Sequence, residues 1–145
     1  MGVERLRATL FVIDDDGCIL LFRGGDPARP DDGTWWFPPG GGVEPEETVG
    51  AAGRRELREE TGLVVEDVGP VVLVRSTEFS FLGVDYDAVE HCFVVRAPRF
   101  EVIRSGWTEI ERSVLHEHRW WCPEELAASD EVFHPADLVA LLGRF

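Results

Sequence analysis

Runs of apolar and β-branched residues recur along the chain, separated by segments rich in glycine, proline and aspartate. The first two runs cover 5–13 and 18–22, and the polar DDDG segment between them predicts a β-hairpin. Further strands are predicted by the later runs at residues 64–65, 71–78, 91–95 and 117–121. These runs are interrupted by segments 24–36, 82–89 and 99–111. Because loops often carry function, we expect these segments to determine which ligand is bound.

One central stretch has the pattern of a long helix. Thr48 is a suitable N-cap and Gly62 a suitable left-handed stop, so the sequence predicts about four helical turns between them. Shorter helices are predicted near Trp107, at Pro123 and at Pro135, since proline suits a first helical turn. Strands on both sides of the long helix predict an α/β fold, with a mixed sheet in a sandwich. The length of 145 residues is that of one domain, which we expect to span 1–145.

The predicted long helix carries three carboxylates on one face. Glu56, Glu59 and Glu60 stand at i, i+3 and i+4, so their side chains share one stripe of the helix. Like charges at this spacing destabilise a helix by about 0.2–0.5 kcal/mol per pair, whereas a bound cation makes the arrangement favourable. Carboxylate oxygens suit Mg²⁺ or Mn²⁺, and Mg²⁺ commonly binds one or two carboxylates together with substrate phosphates. The stripe therefore predicts a divalent metal site, although a lone pair of glutamates is more often a solvated surface.

Charge and cysteine content narrow the classes of function. Twenty-eight acidic and 14 basic residues give a net charge of −14, which argues against binding long nucleic acids. Three scattered cysteines, Cys18, Cys92 and Cys122, argue against a disulfide framework and favour a reducing, cytoplasmic location. The apolar runs are too short to cross a bilayer, and the first residues lack the apolar segment of a signal peptide. We therefore expect no long nucleic-acid partner and no membrane partner, and the negative charge would require a metal ion to hold any phosphorylated ligand.

The segment ahead of the long helix contains candidate ligand contacts. Residues 24–34 form the longest Gly/Pro/Asp segment, and loops of this length beside a site are often functional. Trp35 and Trp36 follow directly, and one of them is a candidate for stacking on a nucleobase, although core packing suits both. Arg23, at the end of the second predicted strand, is a candidate for binding an outer phosphate, although an ordinary surface arginine is at least as common.

The most specific signal is the spacing of residues around the acidic stripe. The pattern G-x5-E-x7-R-E-U-x-E-E-x-G-U, with U aliphatic, is matched at every fixed position by Gly41, Glu47, Arg55, Glu56, Leu57, Glu59, Glu60, Gly62 and Leu63. A chance match in a chain of this length has odds on the order of 10⁻⁷ to 10⁻⁸. This stretch resembles the signature of the Nudix hydrolases. An aromatic-Pro-Gly segment upstream and the run W-W-x-P-E-E-L at 120–126 extend the resemblance over most of the chain.

The resemblance implies a metal centre on the long helix. Glu56, Glu59 and Glu60 would be the metal ligands, and the backbone carbonyl of Gly41 would add another. A carboxylate near a bound water, either Glu59, Glu60 or a glutamate from a downstream loop, would act as general base.

The resemblance also implies supporting residues around that centre. Arg55 would orient the carboxylates, and its spacing makes Glu59 its i+4 partner. Glu47 would hold the geometry between loop and helix. Nudix hydrolases often take a further catalytic or metal-bound glutamate from a loop downstream, for which Glu109 and Glu111 are candidates, with Glu111 slightly ahead.

The implied fold is a Nudix-type α/β/α sandwich with a mixed sheet between helices. The implied reaction is attack of water on phosphorus, dependent on Mg²⁺ or Mn²⁺, which cleaves a diphosphate linkage in a nucleoside diphosphate linked to another moiety. The chain would act in the cytoplasm, and a homodimer is compatible with this. One alternative is a nucleotide-binding sensor without turnover, which would not need the crowded carboxylates. Another is an isopentenyl diphosphate isomerase, which would need a reactive cysteine and a histidine-rich metal site.

Overall fold

A computed structural model describes residues 2–145. In chain order its strands and helices are β1 (Val3–Ile13), β2 (Ile19–Gly24), β3 (Trp35–Phe37), β4 (Gly40–Gly42), α1 (Val49–Thr61), β5 (Leu73–Phe81), β6 (Val84–Arg96), α2 (Glu109–Val114), β7 (Leu115–Trp121), α3 (Pro123–Ala128) and α4 (Leu138–Leu142). A short 3₁₀ turn at Pro30–Asp32 lies within the loop between β2 and β3. The predicted first hairpin, long helix, late strand and helix at Pro123 are all present.

The strands form one mixed sheet. Its order is β3-β2-β1-β6-β5, with β4 added to β1 and β7 added to β2. The central pair, β1 and β6, is parallel over the full length of β1, whereas the other pairs are antiparallel. Because β1 pairs with β2 only at Ile13 and Ile19, its remaining edge is free to pair with β4. This arrangement confirms the predicted mixed sheet and places the glycines of β4 beside the middle of β1.

Helices cover both surfaces of the sheet. We call the surface that packs against α1, around Leu10 and Phe93, the α1 face. The opposite surface, around Phe11 and Cys92, packs against α3 and α4, and we call it the α4 face. Helices on the two faces confirm the α/β/α sandwich. The covering is incomplete, since β1 is exposed from Val3 to Leu6 and buried from Ala8 onward.

The ends of α1 follow from local sequence. The Thr48 hydroxyl accepts a hydrogen bond from the Ala51 amide at 3.1 Å, and Gly62 ends the helix with φ of 83°. Both positions agree with the predicted caps. A Cβ on Gly53 would lie 3.4 Å from Leu10 and 3.6 Å from Phe93, so glycine here lets the helix pack closely on the sheet.

Two predictions about connections need correction. Residues 82–89 were predicted as a turn region, but the turn consists of Leu82 and Gly83, and β6 begins at Val84. Both turn residues have positive φ, 50° and 79°, which is the conformation that two-residue hairpins require. Asp85 and Asp87 therefore lie on a strand and, being two positions apart, share one face of the sheet.

The prediction of free, scattered cysteines is wrong for two of the three. Cys18 and Cys122 form a disulfide, because β2 and β7 pair with Ile19 opposite Trp121 and bring the two flanking residues together. Cys92 is a free, buried thiol on β6, and burial raises its pKa to about 12. Within residues 2–145, no helix has the length and apolar character needed to span a membrane.

Candidate active site

Helix α1 turns two glutamates inward against β4. Glu56 and Glu60 are buried, at 8% and 4% exposure, which is unusual for carboxylates. A Cβ on Gly41 would overlap the Glu56 carboxylate, so only glycine at this position admits the buried acid. The backbone amide of Gly40 donates to Glu60 Oε1 at 3.4 Å. The strand and the helix are therefore fitted to each other around these two side chains.

A third carboxylate comes from α2. Glu56, Glu60 and Glu111 each offer a carboxylate oxygen within 4.8 Å of the others, and among the side chains described they form a group able to hold a metal ion. Trp107 fixes the approach, since its indole Nε1 donates to the Glu60 carbonyl at 2.7 Å. A side chain on Gly106 would overlap the backbone of Glu59, so this glycine lets the segment lie directly on α1.

The local structure of α2 positions Glu111. The Thr108 hydroxyl accepts a hydrogen bond from the Glu111 amide at 3.1 Å, and Glu111 Oε1 accepts one from the Thr108 amide at 2.8 Å. This reciprocal capping box holds one carboxylate oxygen of Glu111 and leaves the second available to the cluster. Glu109, the other downstream candidate, lies outside the carboxylate cluster.

The cluster is electrostatically unfavourable without a cation. Burial, followed by the negative charges of Glu56 and Glu111, raises the pKa of Glu60 well above its usual range. Burial also raises the pKa of Glu56, although Arg55 opposes the shift. A group of buried oxygen ligands that carries excess negative charge matches the preference of hard divalent cations such as Mg²⁺ and Mn²⁺. The donor set and its electrostatics therefore fit such an ion.

Arg55 connects the cluster to the loop before the helix. Its Nε and Nη2 donate to the two oxygens of Glu47, both at 2.8 Å, and Nη2 also donates to the Gly42 carbonyl at 3.0 Å. Its Nη1 donates to Glu56 at 2.9 Å and, more weakly, to Glu59 at 3.4 Å. Hydrogen bonding to Glu47 is the main reason that the pKa of Arg55 is raised. The same hydrogen bonding lowers the pKa of Glu47 to about 2. The main partner of Arg55 is thus Glu47 and not the i+4 residue that spacing alone suggested.

Glu59 differs from its two neighbours on the helix. Its side chain is 31% exposed and points to Arg55. The carboxylates whose oxygens lie within 4.8 Å of one another include Glu111 and not Glu59. Sequence reasoning grouped Glu59 with Glu56 and Glu60 because all three share a helical stripe. In the structure, the buried pair Glu56 and Glu60 instead lies next to Glu111, which is about fifty positions downstream in the sequence.

The hydrogen bonding of β4 distinguishes its carbonyl groups. Leu10 donates to the Pro39 carbonyl and Val43 donates to the Leu6 carbonyl, so odd-numbered residues of this strand pair with β1. Gly41 shares that direction, and its carbonyl faces Ala8. Gly40 faces α1 instead, as its amide bond to Glu60 shows. By the same alternation the carbonyl of Gly40 is directed away from β1, whereas that of Gly41, the predicted ligand, is directed toward β1.

The predicted substrate contacts have different outcomes. Trp36 is 3% exposed, packs against Trp121 at 5.2 Å, and donates from Nε1 to Glu131 at 2.9 Å. This burial leaves no free ring face for stacking, so the stacking interpretation is wrong for Trp36. Trp35 is half-buried. Arg23 is partly exposed, pairs with Glu117, and donates to the Thr34 hydroxyl at 2.9 Å.

The comparisons with known proteins concern the family and the fold. A family model described as "NUDIX domain" matches residues 3–142. A search of the curated proteins found no match. Among solved structures, the MutT NUDIX hydrolase from Burkholderia pseudomallei is 21% identical, with 96% of this chain and 97% of that chain covered and a TM-score of 0.69.

Two further solved structures have the same fold. The E. coli dihydroneopterin triphosphate pyrophosphohydrolase is 18% identical over 99% of this chain and 97% of its own, with a TM-score of 0.65. The C. elegans Ap4A hydrolase, solved as a binary complex, is 19% identical over 97% of this chain and 99% of its own, with a TM-score of 0.60. At these identities the likeness shows the architecture alone.

Proposed function

The chain belongs to the Nudix family and is a pyrophosphohydrolase of that family, and from this premise we propose its reaction and its site. The reaction is metal-dependent attack of water on one phosphorus of a diphosphate linkage, in a nucleoside diphosphate linked to another moiety. The observation that carries this proposal is the group of three carboxylates, Glu56 and Glu60 buried and Glu111 half-buried, whose oxygens lie within 4.8 Å of one another.

The metal would be Mg²⁺ or Mn²⁺, held by Glu56, Glu60 and Glu111, with the Gly40 carbonyl as a backbone ligand. When bound, such an ion neutralises phosphate oxygens and lowers the pKa of a coordinated water. We assign the role of proton acceptor to Glu59, whose carboxylate is 31% exposed and which is not one of the three grouped carboxylates. The new P–O bond forms to that water oxygen while the bridging P–O bond breaks, and the leaving group departs as a phosphate.

Arg55 and Glu47 would act as positioning residues. The fork of Arg55 holds Glu47, Glu56 and the Gly42 carbonyl at once, so it fixes the loop, the helix and β4 in one arrangement. Misplacement of carboxylates by even about 1 Å is costly in catalysis. If Arg55 formed only an ordinary surface ion pair, its guanidinium would not also need to donate to a backbone carbonyl.

The substrate would be a small nucleotide-derived compound. A homodimer stays a prediction, to be checked by light scattering. The cytoplasmic location also stays a prediction, and the bond between Cys18 and Cys122 removes the cysteine count as its support.

A phosphate-release screen tests the function. The purified chain would be assayed with nucleoside triphosphates, oxidised nucleoside triphosphates, ADP-ribose, nucleotide sugars and dinucleoside polyphosphates, each with Mg²⁺, with Mn²⁺ and with excess chelator. We expect release from at least one class and at least a 100-fold loss in chelator. Full activity in chelator would contradict the metal centre, and no release from any class would favour the binding sensor.

A further inference from the structure

We propose that Trp107 is a positioning residue of the metal site, because its indole hydrogen bond to α1 holds the segment that carries Glu111 and thereby sets the affinity for the ion. This segment, residues 102–114, ends directly before β7, and we call it the arm. The inference rests on the proposed function, since it concerns the ion that the carboxylate cluster would hold.

The arm lies along the C-terminal end of α1. The Ile103 amide donates to the Thr61 carbonyl at 2.9 Å, and the indole Nε1 of Trp107 donates to the Glu60 carbonyl at 2.7 Å. The last four carbonyls of a helix have no partner within the helix. The arm therefore provides hydrogen-bond donors for the last two carbonyls of α1.

Trp107 makes the buried one of these two contacts. It is 7% exposed, and its ring packs edge-on against Phe22 of β2 with centroids 5.8 Å apart. Ile103, by contrast, is 54% exposed, so water competes for its hydrogen bond. A hydrogen bond away from water is electrostatically stronger than one in contact with it. The indole is therefore the main attachment of the arm to α1.

The connection from Trp107 to Glu111 is short and internally bonded. Thr108 follows Trp107, and its amide and hydroxyl are joined to Glu111 by the capping box, at 2.8 and 3.1 Å. The carbonyl that accepts the indole hydrogen bond belongs to Glu60, whose carboxylate lies in the cluster. The indole hydrogen bond thus fixes the position of Glu111 relative to the ligand beside it.

Like charges oppose this position of the arm when no ion is bound. Glu111 brings a third carboxylate oxygen within 4.8 Å of those of Glu56 and Glu60, and charges so close inside a protein repel one another. Helix α2 has six residues and none of them is buried, so its own packing does not offset the repulsion. Trp107 supplies the buried contact that α2 lacks.

Ion binding and docking of the arm should therefore favour each other. An ion in the cluster would remove the repulsion, so the arm would dock more tightly on α1. By thermodynamic linkage, a docked arm must strengthen ion binding by the same factor. With the arm undocked, the chain would keep Glu56 and Glu60 as ligands and lose Glu111.

Binding of Mn²⁺ to the substrate-free chain tests the inference without turnover, by the loss of the electron paramagnetic resonance signal of free Mn²⁺. Trp107→Phe keeps an aromatic ring but cannot donate, and we expect it to weaken binding about 10-fold, at the lower end of the effect of residues that orient metal ligands. Glu111→Gln should weaken binding at least as much. Adding Trp107→Phe to Glu111→Gln should cause less than about 2-fold further loss, because the indole acts through that carboxylate.

Trp36→Phe is the matched control. The same substitution there removes an indole hydrogen bond, to Glu131 at 2.9 Å, within the packed cluster of the α4 face. We expect its Mn²⁺ affinity to stay within about 2-fold of wild type, because additivity holds for distant sites. A loss as large as that of Trp107→Phe would mean that general loosening of the fold is responsible. An equal loss from Trp107→Phe in the presence of Glu111 and in the Glu111→Gln background would also overturn the inference.

Hydrogen exchange of the indole N–H groups in the wild-type chain tests the same inference without any substitution. In excess Mg²⁺, the exchange of the Trp107 indole, measured by NMR, should slow about 10-fold or more relative to that of Trp36, because the ion should favour the docked arm. An unchanged ratio would overturn the inference. A wild-type chain that binds Mn²⁺ but fails these tests overturns the inference alone, whereas no phosphate release from any substrate of the screen overturns the proposed function.

Discussion

Helix α1 and the arm both contribute to the carboxylate cluster, and they are built in different ways. In α1, Glu56 and Glu60 come from adjacent turns of one helix whose caps and spacing are local. In the arm, Glu111 reaches the cluster because β7, which follows α2 directly, pairs with β2. Helix α1 has a buried face of its own, whereas α2 has no buried residue and is held through Trp107.

This difference assigns the two parts of the metal site to two kinds of structure. A metal-binding helix can be specified by residues spaced three and four apart, so it can be recognised without any knowledge of the fold. A segment whose position depends on which strands are neighbours cannot. Local sequence therefore identifies the reaction class, whereas a part of the site placed by strand pairing is recognised only from the fold.

Glu60→Gln should have the largest effect. Removing a metal-binding carboxylate should lower kcat by about 10³-fold, since a bound metal ion supplies several kcal/mol of transition-state stabilisation. The same change should not destabilise the metal-free chain, because Glu60 is buried beside Glu56 and Glu111. Assays of kcat together with thermal unfolding in chelator would measure both effects.

The effect of Glu60→Gln on the stability of the metal-free chain should depend on pH. Burial raises the pKa of Glu60, so the metal-free wild-type chain is favoured at low pH and loses stability as the pH rises through that elevated pKa. Glutamine does not titrate, so the Tm advantage of Glu60→Gln in chelator should grow with pH. In excess Mg²⁺ the order should reverse, because the ion stabilises the wild-type chain that binds it. A lower Tm for the variant at every pH in chelator would contradict the electrostatic account.

Glu111→Gln and Glu109→Gln should differ although the two residues are neighbours on α2. Glu111 belongs to the cluster and Glu109 does not, so kcat should fall by about 10–100-fold for the first and less than 2-fold for the second. The apparent affinity for Mg²⁺ should weaken with Glu111→Gln alone. Equal wild-type rates in both variants would remove α2 from the metal site.

Arg55→Lys should have a somewhat smaller effect. Lysine keeps the charge but loses the fork that holds Glu47, Glu56 and the Gly42 carbonyl together. We expect kcat to fall by about 10-fold with KM for substrate little changed, since the residue positions carboxylates and lies on the cluster side of β4. Arg54→Lys is the control, as Arg54 donates instead to the Val65 carbonyl at an exposed position. An equal loss of activity in both variants would show that a general change of α1, and not the fork, is responsible.

The sequence anticipated the parts of the fold that depend on local pattern. The caps of α1, the mixed sandwich and the acidic stripe of α1 follow from spacing, polarity and turn residues. The main partner of Arg55 was missed because the loop folds back eight residues to bring Glu47 beside the helix, which helical spacing does not reveal. The disulfide was missed for the same kind of reason, since Cys18 and Cys122 meet only because β2 pairs with β7.

Strand pairing also explains the outcome for the two tryptophans. Trp35 and Trp36 are adjacent in sequence and equally suited to stacking or to packing, but β3 turns Trp36 toward Phe133 and Trp121 on the α4 face. Alternation along the strand puts Trp35 on the opposite side. Composition could not choose between them, because the choice depends on which surface the C-terminal helices cover.

Trp36→Phe should have the smallest effect on catalysis. It tests whether substrate binding extends into the covered end of the α4 face. The change removes the hydrogen bond to Glu131 and leaves a smaller ring in the packed cluster. We expect the free energy of unfolding to fall by about 1–2 kcal/mol, in the range for a lost hydrogen bond and reduced packing. Urea denaturation would measure this loss, while kcat and KM for triphosphate and diphosphate substrates should stay within about 2-fold of wild type. A selective rise in KM for one substrate class would instead mean that Trp36 contacts substrate and that binding extends into the covered end of the sheet.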